Sequence, residues 1–393
     1  MKFVTSISHL ADPNAAIQEV AAQLPKTKPS CLICYYTEDY ESTRLQAEVT
    51  RLFPETPLIA CSTCTGVASE KGLHFGQVVG VMAIYDSKSV FGTAIARVKK
   101  NENVSLVTKD AIETALIEIE RIGELPSFIL CHPTPGIEEE VVRAIDDYFH
   151  SPVPIVGGSA SDHHVDERWS LFNESISTES GIVMMLVYSD TKCTHSFSAG
   201  YTETQFSGEV TKASGRDLQE IDGRPAQEVY RQWIASHANV DVPVHFEFDL
   251  VTQYSLGRKV GQVFNHSYFK LSHPIRVSDN KGAIRLFTNV ERGDIVTLMD
   301  GNRQEMIERP ARVLRDASLG KPQEFKPLGA LLVICAGPML FLKDDIYELQ
   351  EHIVQAIGDT PFLSPFTFGE QGRFIGGEIA HANLMVTSAV FHH

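Results

Sequence analysis

Short β-rich runs alternate with amphipathic helical segments, and this alternation restricts the possible folds more than any other feature of the sequence. Asp12-Pro13 indicates a helix start, because Asp caps helices well and proline suits the first helical position. The runs that predict buried strands are 31–37, 58–61, 127–131 and 154–156, and the helical segments between them are 41–53, 104–122 and 137–149. This order predicts an α/β layer of mixed sheets with flanking helices.

The later part of the chain is richer in strands. Segments 77–85 and 90–98 are interpreted as a hairpin, and 181–188 with 194–202 as a second pair of consecutive strands. A polar stretch near 217–224 predicts a domain boundary, which separates an α/β domain (1–222) from a strand-rich α+β domain (223–393). The strands predicted beyond it are 244–251, 275–277, 283–287, 295–299 and 330–335, followed by a helix at 345–357.

Composition narrows the class of protein. The chain has 393 residues, a net charge of −16, 43% hydrophobic and 21% charged residues, which is ordinary for a globular protein of about two domains. The acidic excess argues against non-specific binding of nucleic acid or anionic membranes. The longest nearly apolar run, 329–342, is shorter than the ~20 residues of a membrane span. The seven cysteines are an odd number, which is typical of reduced thiols rather than of a disulfide framework. Together these features predict a soluble cytoplasmic protein without membrane insertion.

Two Cys-x-x-Cys pairs, Cys31/Cys34 and Cys61/Cys64, raise the question of a zinc or redox site. Residues three apart in a strand point to opposite faces, so Cys31 and Cys34 cannot share one metal. Cys64 is not at the start of a helical pattern, where thioredoxin-type chemistry needs it. Buried thiols are therefore the better interpretation.

One turn and several isolated residues are further candidates. The segment Gly157-Gly-Ser-Ala-Ser-Asp162 follows a strand and would direct backbone N–H groups at an anion, although a tight connection is an equal alternative. Cys335 ends an apolar strand, where its thiol would either line a pocket or close the core. No zincin, c-type haem, nucleophile-elbow or kinase motif occurs. A b-type haem needs only one axial histidine and leaves almost no sequence signature.

Taken in order, several segments resemble the FIST family of sensory proteins, which combine a FIST N and a FIST C domain. The first half of the resemblance rests on Ala60-Cys61-Ser62-Thr63 with Gly66, and on the segment ending in Asp162. The second half rests on four pieces, Pro274-Ile-Arg276, Leu331-Leu-Val-Ile-Cys335, Phe366-Thr-Phe-Gly-Glu370, and His381 with Asn383. Two departures stand out, since Cys335-Ala-Gly-Pro338 replaces a Cys-x-Gly-Arg pattern and Ala382 splits the usual His-Asn pair.

The resemblance implies a non-catalytic sensor that regulates another protein. Stand-alone chains of this kind resemble bacterial haem proteins that sense nitric oxide and regulate a histidine kinase, with His381 as first and His132 as second candidate for the iron ligand. The ligand-binding residues that the resemblance implies are Cys61, Ser62, Thr63, Ser159, Ser161, Asp162, Arg276, Cys335, Phe368, Glu370 and Asn383.

Three functional hypotheses remain open. The first is a haem-based nitric oxide sensor acting on a histidine kinase or other signalling protein. The second is a haem-free receptor for a small polar ligand such as an amino acid, with Ser159, Asp162, Arg276 and Glu370 pairing with its charged groups. The third is an enzyme that uses Cys61 or Cys335.

Overall fold

The computed structural model describes residues 1–263, 266–277, 282–317, 327–375 and 377–392. Its helices are α1 (Pro13–Gln23), α2 (Ser42–Leu52), α3 (Val104–Glu118), α4 (Glu138–Phe149), α5 (Ala226–Ala238), α6 (Phe248–Gln253), α7 (Arg303–Asp316), α8 (Ala336–Leu342) and α9 (Ile346–Ile357). The predicted start of α1 is confirmed, because the Asp12 carboxylate accepts hydrogen bonds from the amides of Asn14 and Ala15, at 3.1 and 3.0 Å.

The strands form four sheets. In the first half they are β1 (Lys2–Ser8), β2 (Cys31–Thr37), β3 (Leu58–Thr63), β4 (Gly66–Ser69), β5 (Gly72–Phe75), β6 (Val79–Tyr85), β7 (Val90–Arg97), β8 (Phe128–Pro133), β9 (Ile155–Gly158), β10 (Leu171–Asn173), β11 (Ser177–Thr178), β12 (Gly181–Tyr188) and β13 (Cys193–Ala199). In the second half they are β14 (Thr202–Ser214), β15 (Asp217–Ile221), β16 (Arg224–Pro225), β17 (Leu256–Val263), β18 (His266–Ser272), β19 (Pro274–Val277), β20 (Ile284–Leu286), β21 (Ile295–Asp300), β22 (Gly329–Cys335), β23 (Phe362–Thr367), β24 (Glu370–Arg373), β25 (Ile379–Ala382) and β26 (Met385–Phe391). The predicted class, mixed sheets with flanking helices, is confirmed.

Three of the sheets share one strand arrangement. Their orders are β1-β6-β2-β3-β10, β7-β12-β8-β9-β24 and β13-β26-β22-β23-β4, each built around a parallel pair with an antiparallel partner on either side. The fifth strand in each of these orders (β10, β24 or β4) comes from another part of the chain. It forms a hairpin with a sixth strand, which is β11, β25 or β5 respectively. The exchange is cyclic, so each sheet is completed by a different segment.

Backbone hydrogen bonds show that these sheets are three structural repeats. The amides of Leu32, Ile129 and Ala330 donate to the carbonyls of Pro57, Pro154 and Pro361, at 2.8, 2.9 and 3.0 Å. A second equivalent set joins residues 30, 127 and 328 to residues 84, 187 and 391, each at 2.7 Å. Repeat 1 therefore spans 2–85, repeat 2 spans 90–188, and repeat 3 consists of 193–199 with 303–391.

Residues 202–300, which we call the insert, separate the first strand of repeat 3 from its first helix. The described part of the insert contains the fourth sheet, α5 and α6, and has an apolar core of its own that includes Leu218, Tyr230 and Leu298. It contacts repeat 3, where β18 packs against β25 and α6 packs against α8. The predicted boundary at 222/223 remains a prediction, while strands from both sides of it share the second and third sheets.

Three predicted strand assignments are wrong. The segments 77–85 and 90–98 do not pair, because β1 and β2 occupy both edges of β6 and β7 instead pairs with β12. For the same reason β12 does not pair with the strand that follows it, since β7 and β8 flank it. Segment 244–251 alternates like a strand, yet α6 begins within it, because Val251 and Thr252 bury one helical face.

The inner faces of the three repeats meet in one apolar core. Phe391 lies at this meeting point, with its ring centroid 4.9 Å from that of Phe3 and 5.9 Å from that of Phe128. Phe391→Ala is therefore expected to lower the free energy of unfolding by about 3–5 kcal/mol, because it leaves a cavity that none of the sheets can close alone. Urea denaturation measures this loss, and Tyr347→Ala, at a side chain 57% exposed, is the control. Equal losses for the two variants would contradict this account of the core.

Candidate functional site

A cleft of about 410 Å³ lies where α4 and β25 face the insert. Most of its walls carry charge, which is unusual, because ligand pockets are largely apolar with a few placed polar groups. The lining residues are Glu139, Val142, Arg143, Asp146 and Asp147 of α4; Arg258, Lys270, Asn289, Glu291 and Asp294 of the insert; and Glu378, Ile379, Ala380 and His381. The cleft is thus bounded by two parts of the molecule that have separate apolar cores.

Ion pairs beside the cleft connect α4 to the insert. Arg216, in the loop between β14 and β15, donates to the carboxylates of Glu138 and Glu139 at 2.7 and 2.8 Å. The amide of Asn289 donates to the other oxygen of Glu139 at 2.7 Å. Glu138 is almost completely buried and also accepts from the amide of Gly136. Its position in the first turn of α4 suits the partial positive charge of a helix N-terminus.

A buried polar network lies beneath the cleft. The Gln371 side-chain amide donates to Nδ1 of His381 at 3.0 Å and to the hydroxyl of Ser159 at 3.2 Å, and that hydroxyl donates to Glu138 at 3.2 Å. With the Gln371 amide in this orientation, Nδ1 accepts the hydrogen bond, which assigns the proton of the neutral His381 ring to Nε2. Nε2 has no hydrogen-bond partner among the described residues, and the nearest carboxylate oxygen, of Glu138, is 3.6 Å away.

The repeats provide an internal comparison for this network. Leu171, Glu370 and Val67 occupy equivalent positions in the three sheets. Each is paired with the residue that lies four positions after the proline preceding β3, β9 or β23. The cross-strand pairs one position further along the hairpins are Ala68 with Leu73 in repeat 1, Phe172 with Ser177 in repeat 2, and Gln371 with His381 in repeat 3. The shared fold therefore does not require a buried Gln–His pair. This pair occurs only in the repeat whose hairpin lies under the cleft, which indicates a role other than packing.

Electrostatics keeps His381 neutral at pH 7. Burial lowers its pKa, and although Glu138 and Glu139 act in the opposite direction, the net shift is downward. Lys270, on the facing strand, also has a lowered pKa because of burial. The floor of the cleft thus contains a buried ring N–H donor, and one wall carries an ammonium group.

Most of the predicted site residues lie elsewhere. Ser62, Thr63 and Ser161 are fully buried where the three sheets meet, and each bonds to backbone, for example Ser161 to the carbonyl of Phe366 at 2.7 Å. Cys61 packs in the central core. Asp162 accepts from the amides of residues 164, 165, 166 and 168 and so holds a loop in place. Among the residues predicted from the first half of the resemblance, Ser159 is the one that joins the network under the cleft.

The turn at 157–162 does not have the geometry predicted for anion binding. The amides of Ser159, Ala160 and Ser161 donate to the carbonyls of Gly369, Pro133 and Ser62. Because these N–H groups are already bonded, they are not directed at a ligand. Packing explains the first glycine, since a Cβ at Gly157 would lie 1.9 Å from the carbonyl oxygen of Cys131.

Cys335, Phe368 and Asn383 line a second, smaller and almost apolar pocket of about 80 Å³. The buried Glu370 carboxyl lies nearby and accepts from Thr367 at 2.8 Å and from the amide of Met385 at 3.0 Å, and burial raises its pKa well above the ordinary range. Arg276 is exposed on β19, so the four residues predicted to bind an amino acid do not come together.

The thiols are not arranged for nucleophilic catalysis. Burial raises the pKa of Cys61 and of Cys335 well above the ordinary thiol range, and Glu370 adds to the effect at Cys335. A thiolate is the reactive form, and burial in apolar surroundings disfavours it. Cys31 and Cys34 are likewise buried with raised pKa values.

The two histidines predicted as haem ligands do not fit that role in this arrangement. His132 donates from Nδ1 to the carbonyl of Gly158 at 2.8 Å, and its Nε2 accepts from the Tyr35 hydroxyl at 3.1 Å. His381 carries its proton on Nε2, whereas a metal needs the free lone pair of an imidazole nitrogen. The cleft beside His381 is charged, so it would not match the apolar face of a porphyrin. In the described ranges, no cluster of three or more His, Cys, Asp or Glu side chains is arranged to hold a metal ion.

His132 leads to a prediction of pH dependence. Burial lowers its pKa to about 4, from about 6.5 in the unfolded chain, so the unfolded state binds more protons within this window. Stability should therefore fall as the pH drops from 6.5 towards 4, by up to roughly 3 kcal/mol from this residue. Urea titrations across this range would compare the wild type with His132→Gln, and exposed His150→Gln would serve as control. A wild-type-minus-H132Q difference that stays constant with pH would contradict the prediction.

Sequence reasoning identified His381 and Ser159 but missed Glu138, Gln371, Lys270 and Arg216. Glu138 had a local signal, because three consecutive acidic residues at a predicted helix start favour the helix dipole. Lys270 had a weaker signal, as the charged residue within an otherwise strand-like Tyr-Phe-Lys-Leu segment. Nothing local indicates that these residues meet His381.

Comparisons with known proteins agree with the sequence resemblance. An uncharacterized protein of Methanocaldococcus jannaschii is 22% identical over 335 residues, which cover 82% of this chain and 64% of that protein, so the chain spans less than two thirds of this relative. A crystal structure of cyanuric acid hydrolase from A. caulinodans aligns with 50% of this chain and 72% of its own, at 9% identity and a TM-score of 0.30, which is too low to support an argument.

No helix in the described portion of the chain is long and apolar enough to cross a membrane. The FIST N domain family matches residues 30–224, and the FIST C domain family matches residues 226–373. Both are sensory domains of signal transduction. Because these matches cover most of the sequence, the chain belongs to the FIST family and carries both of its domains.

Proposed function

We propose that this FIST protein senses a small polar ligand, which binds in the cleft between α4, β25 and the insert, and that it signals to a separate protein. The comparison of the three repeats is the observation that carries the proposal. Equivalent hairpin positions hold Ala68 and Leu73, or Phe172 and Ser177, whereas the hairpin below the cleft holds Gln371 and His381. Burying polar groups without full hydrogen bonding costs stability, so their retention here favours binding.

The position of the cleft suits a sensor. Its walls belong to the repeat body and to the insert, and the pairs of Arg216 with Glu138 and Glu139 hold those two parts together. A ligand that bridges the walls would stabilise one relative position of the insert, and a partner protein that binds this position preferentially would respond to the ligand. A histidine kinase or another signalling protein is the partner class that the family resemblance implies.

A ligand screen by thermal shift would test the proposal. Binding of a ligand at 100 times its Kd stabilises a protein by about 2.7 kcal/mol, so the unfolding temperature rises measurably. We expect a rise with small charged metabolites, amino acids among them, and no rise with apolar compounds of the same size. A ligand whose effect survives substitution of the cleft residues would place the binding site elsewhere and contradict the proposal.

Haem binding, nitric oxide sensing and control of a histidine kinase remain predictions from the resemblance. The protonated Nε2 of His381 and the two bonded ring nitrogens of His132 favour the haem-free alternative. Absorption spectra of the protein with haemin, and of the ferrous form with nitric oxide, separate the two hypotheses. A stoichiometric, sharp Soret band that shifts with nitric oxide would favour haem sensing, and a spectrum matching free haemin would oppose it.

A further inference from the structure

Lys270 is a half-buried cation of the cleft that has no ion-pair partner among the described residues. It lies on β18, opposite α4, and its ammonium group makes no hydrogen bond or ion pair with any residue in the described ranges. Burial lowers its pKa, while Glu139, Glu378 and Asp294 are close enough to act in the opposite direction. A partly desolvated ammonium without a direct partner is costly, so a bound anion would stabilise it.

The carboxylates of the cleft, in contrast, are mostly engaged. Glu139 pairs with Arg216 and Asp146 with Arg373. The other pairs are Asp147 with Lys109, at 3.4 Å, and Asp294 and Glu378 with Arg258. Because most of these carboxylates are already paired, the lining attracts cations less than its count of acidic residues suggests. Apart from the exposed Arg143 and Glu291, the charged or buried polar groups of the lining that remain without a partner among the described residues are the Lys270 ammonium and Nε2–H of His381.

The N–H donor is His381, whose Nε2 proton is fixed by the hydrogen bond that Nδ1 accepts from Gln371. Its side chain is fully buried, and Nε2 has no hydrogen-bond partner among the residues described. Lys270 is near enough for its charge to contribute to the lowered pKa of His381, after burial as the main cause. Both residues line the same cleft.

We propose that the ligand carries a carboxylate, or another oxyanion of similar size, which binds between the Lys270 ammonium and Nε2–H of His381. This inference rests on the proposed function of the cleft and adds the chemical class of the ligand. A charged donor and a neutral donor directed at one oxyanion give strong, short hydrogen bonds. The rest of the ligand would then extend towards the exposed end of the cleft.

Three probes of equal chain length test the charge requirement: butanoate, 4-aminobutanoate and butylammonium. Each is titrated into the 393-residue protein labelled with ¹⁵N-histidine, and the ring signals of His381 are followed by NMR. Both carboxylates should shift the Nε2 signal with saturation, while butylammonium should not. Lys270→Met should weaken butanoate binding about tenfold or more, the loss expected for a charged hydrogen bond.

Two further variants keep the test interpretable. Lys270→Arg retains the charge and should retain most of the affinity, while Lys259→Met, at an exposed lysine on the neighbouring strand, should change affinity less than twofold. If butylammonium binds and butanoate does not, or if K270M binds butanoate normally, the inference fails while the cleft remains a binding site. If none of the three probes shifts the His381 signals at concentrations up to about 50 mM, both the inference and the proposed function fail.

Discussion

The double variant Gln371→Ala/His381→Leu should fold with at least wild-type stability and lose the ligand response. It places in repeat 3 the residues that repeat 1 holds at equivalent positions, Ala68 and Leu73. The replaced side chains include two buried atoms without hydrogen-bond partners among the described residues, Oε1 of Gln371 and Nε2 of His381. Each such group costs about 1–3 kcal/mol, so their removal offsets the lost hydrogen bonds.

The ligand response should fall much further, by about 30-fold or more in affinity, because both the Nε2–H donor and the amide that fixes its proton are lost. Thermal shift in the presence of ligand measures this loss, and urea denaturation measures stability. Ser177→Ala, at the equivalent position of repeat 2, is the matched control and should retain the full response. A double variant that is several kcal/mol less stable, or that still responds, would contradict the assignment of this pair to ligand binding.

Glu138→Leu should lower the free energy of unfolding by about 3–5 kcal/mol, the usual cost of removing one member of a buried ion pair. The carboxylate accepts from the amide of Gly136, the hydroxyl of Ser159 and the guanidinium of Arg216. Leucine leaves all three donors without this acceptor and weakens the attachment of the insert to α4. Glu138→Gln retains an acceptor and should cost less.

Urea denaturation of the two variants provides the measurement, and Glu140→Leu is the control, because Glu140 is exposed on the same helix turn. Glu140→Leu should change stability by about 0.5 kcal/mol or less, as surface substitutions usually do. Hydrogen exchange would locate the effect of E138L, which should include the loop around Arg216 and Asn289. A loss near 3 kcal/mol for E140L, or none for E138L, would contradict the described role of Glu138.

Much of the local structure could be predicted from the sequence, because local signals determine it. The helix cap at Asp12 and the apolar runs of β2, β3 and β22 follow from residue preferences within a few positions. Strand pairing is not local. Whether β6 pairs with β7 or with β1 and β2 depends on which edges are already occupied, and this explains why the predicted hairpin is wrong.

The threefold repeat could not be recognised from the sequence, because equivalent positions hold side chains of similar polarity but of different residue types. Cys34, Cys131 and Leu332 occupy equivalent places and are all completely buried, since each site requires only a side chain that packs. The conspicuous common signal is the proline before the second strand of each parallel pair, Pro57, Pro154 and Pro361. The insert between β13 and α7 further obscures the period along the chain.

The candidate site was only partly predictable for a similar reason. His381 was identified from a family motif, and Ser159 from a turn motif, but the residues that give the site its chemistry are far apart in sequence. Glu138 opens α4, Lys270 lies in the insert and Gln371 is on β24. Because the hairpin of repeat 3 completes the sheet of repeat 2, His381 reaches α4, which no local pattern indicates.

The histidine ring NMR spectrum during titration with a ligand from the thermal-shift screen tests the central claim most directly. His381 and His132 serve as paired reporters, because both are fully buried, yet only His381 lines the cleft. We predict that the Nε2 signal of His381 shifts to saturation with the same affinity as the thermal response, while the His132 signals stay in place. A ligand that stabilises the protein but leaves His381 unchanged would contradict the proposal that the cleft is the sensory site.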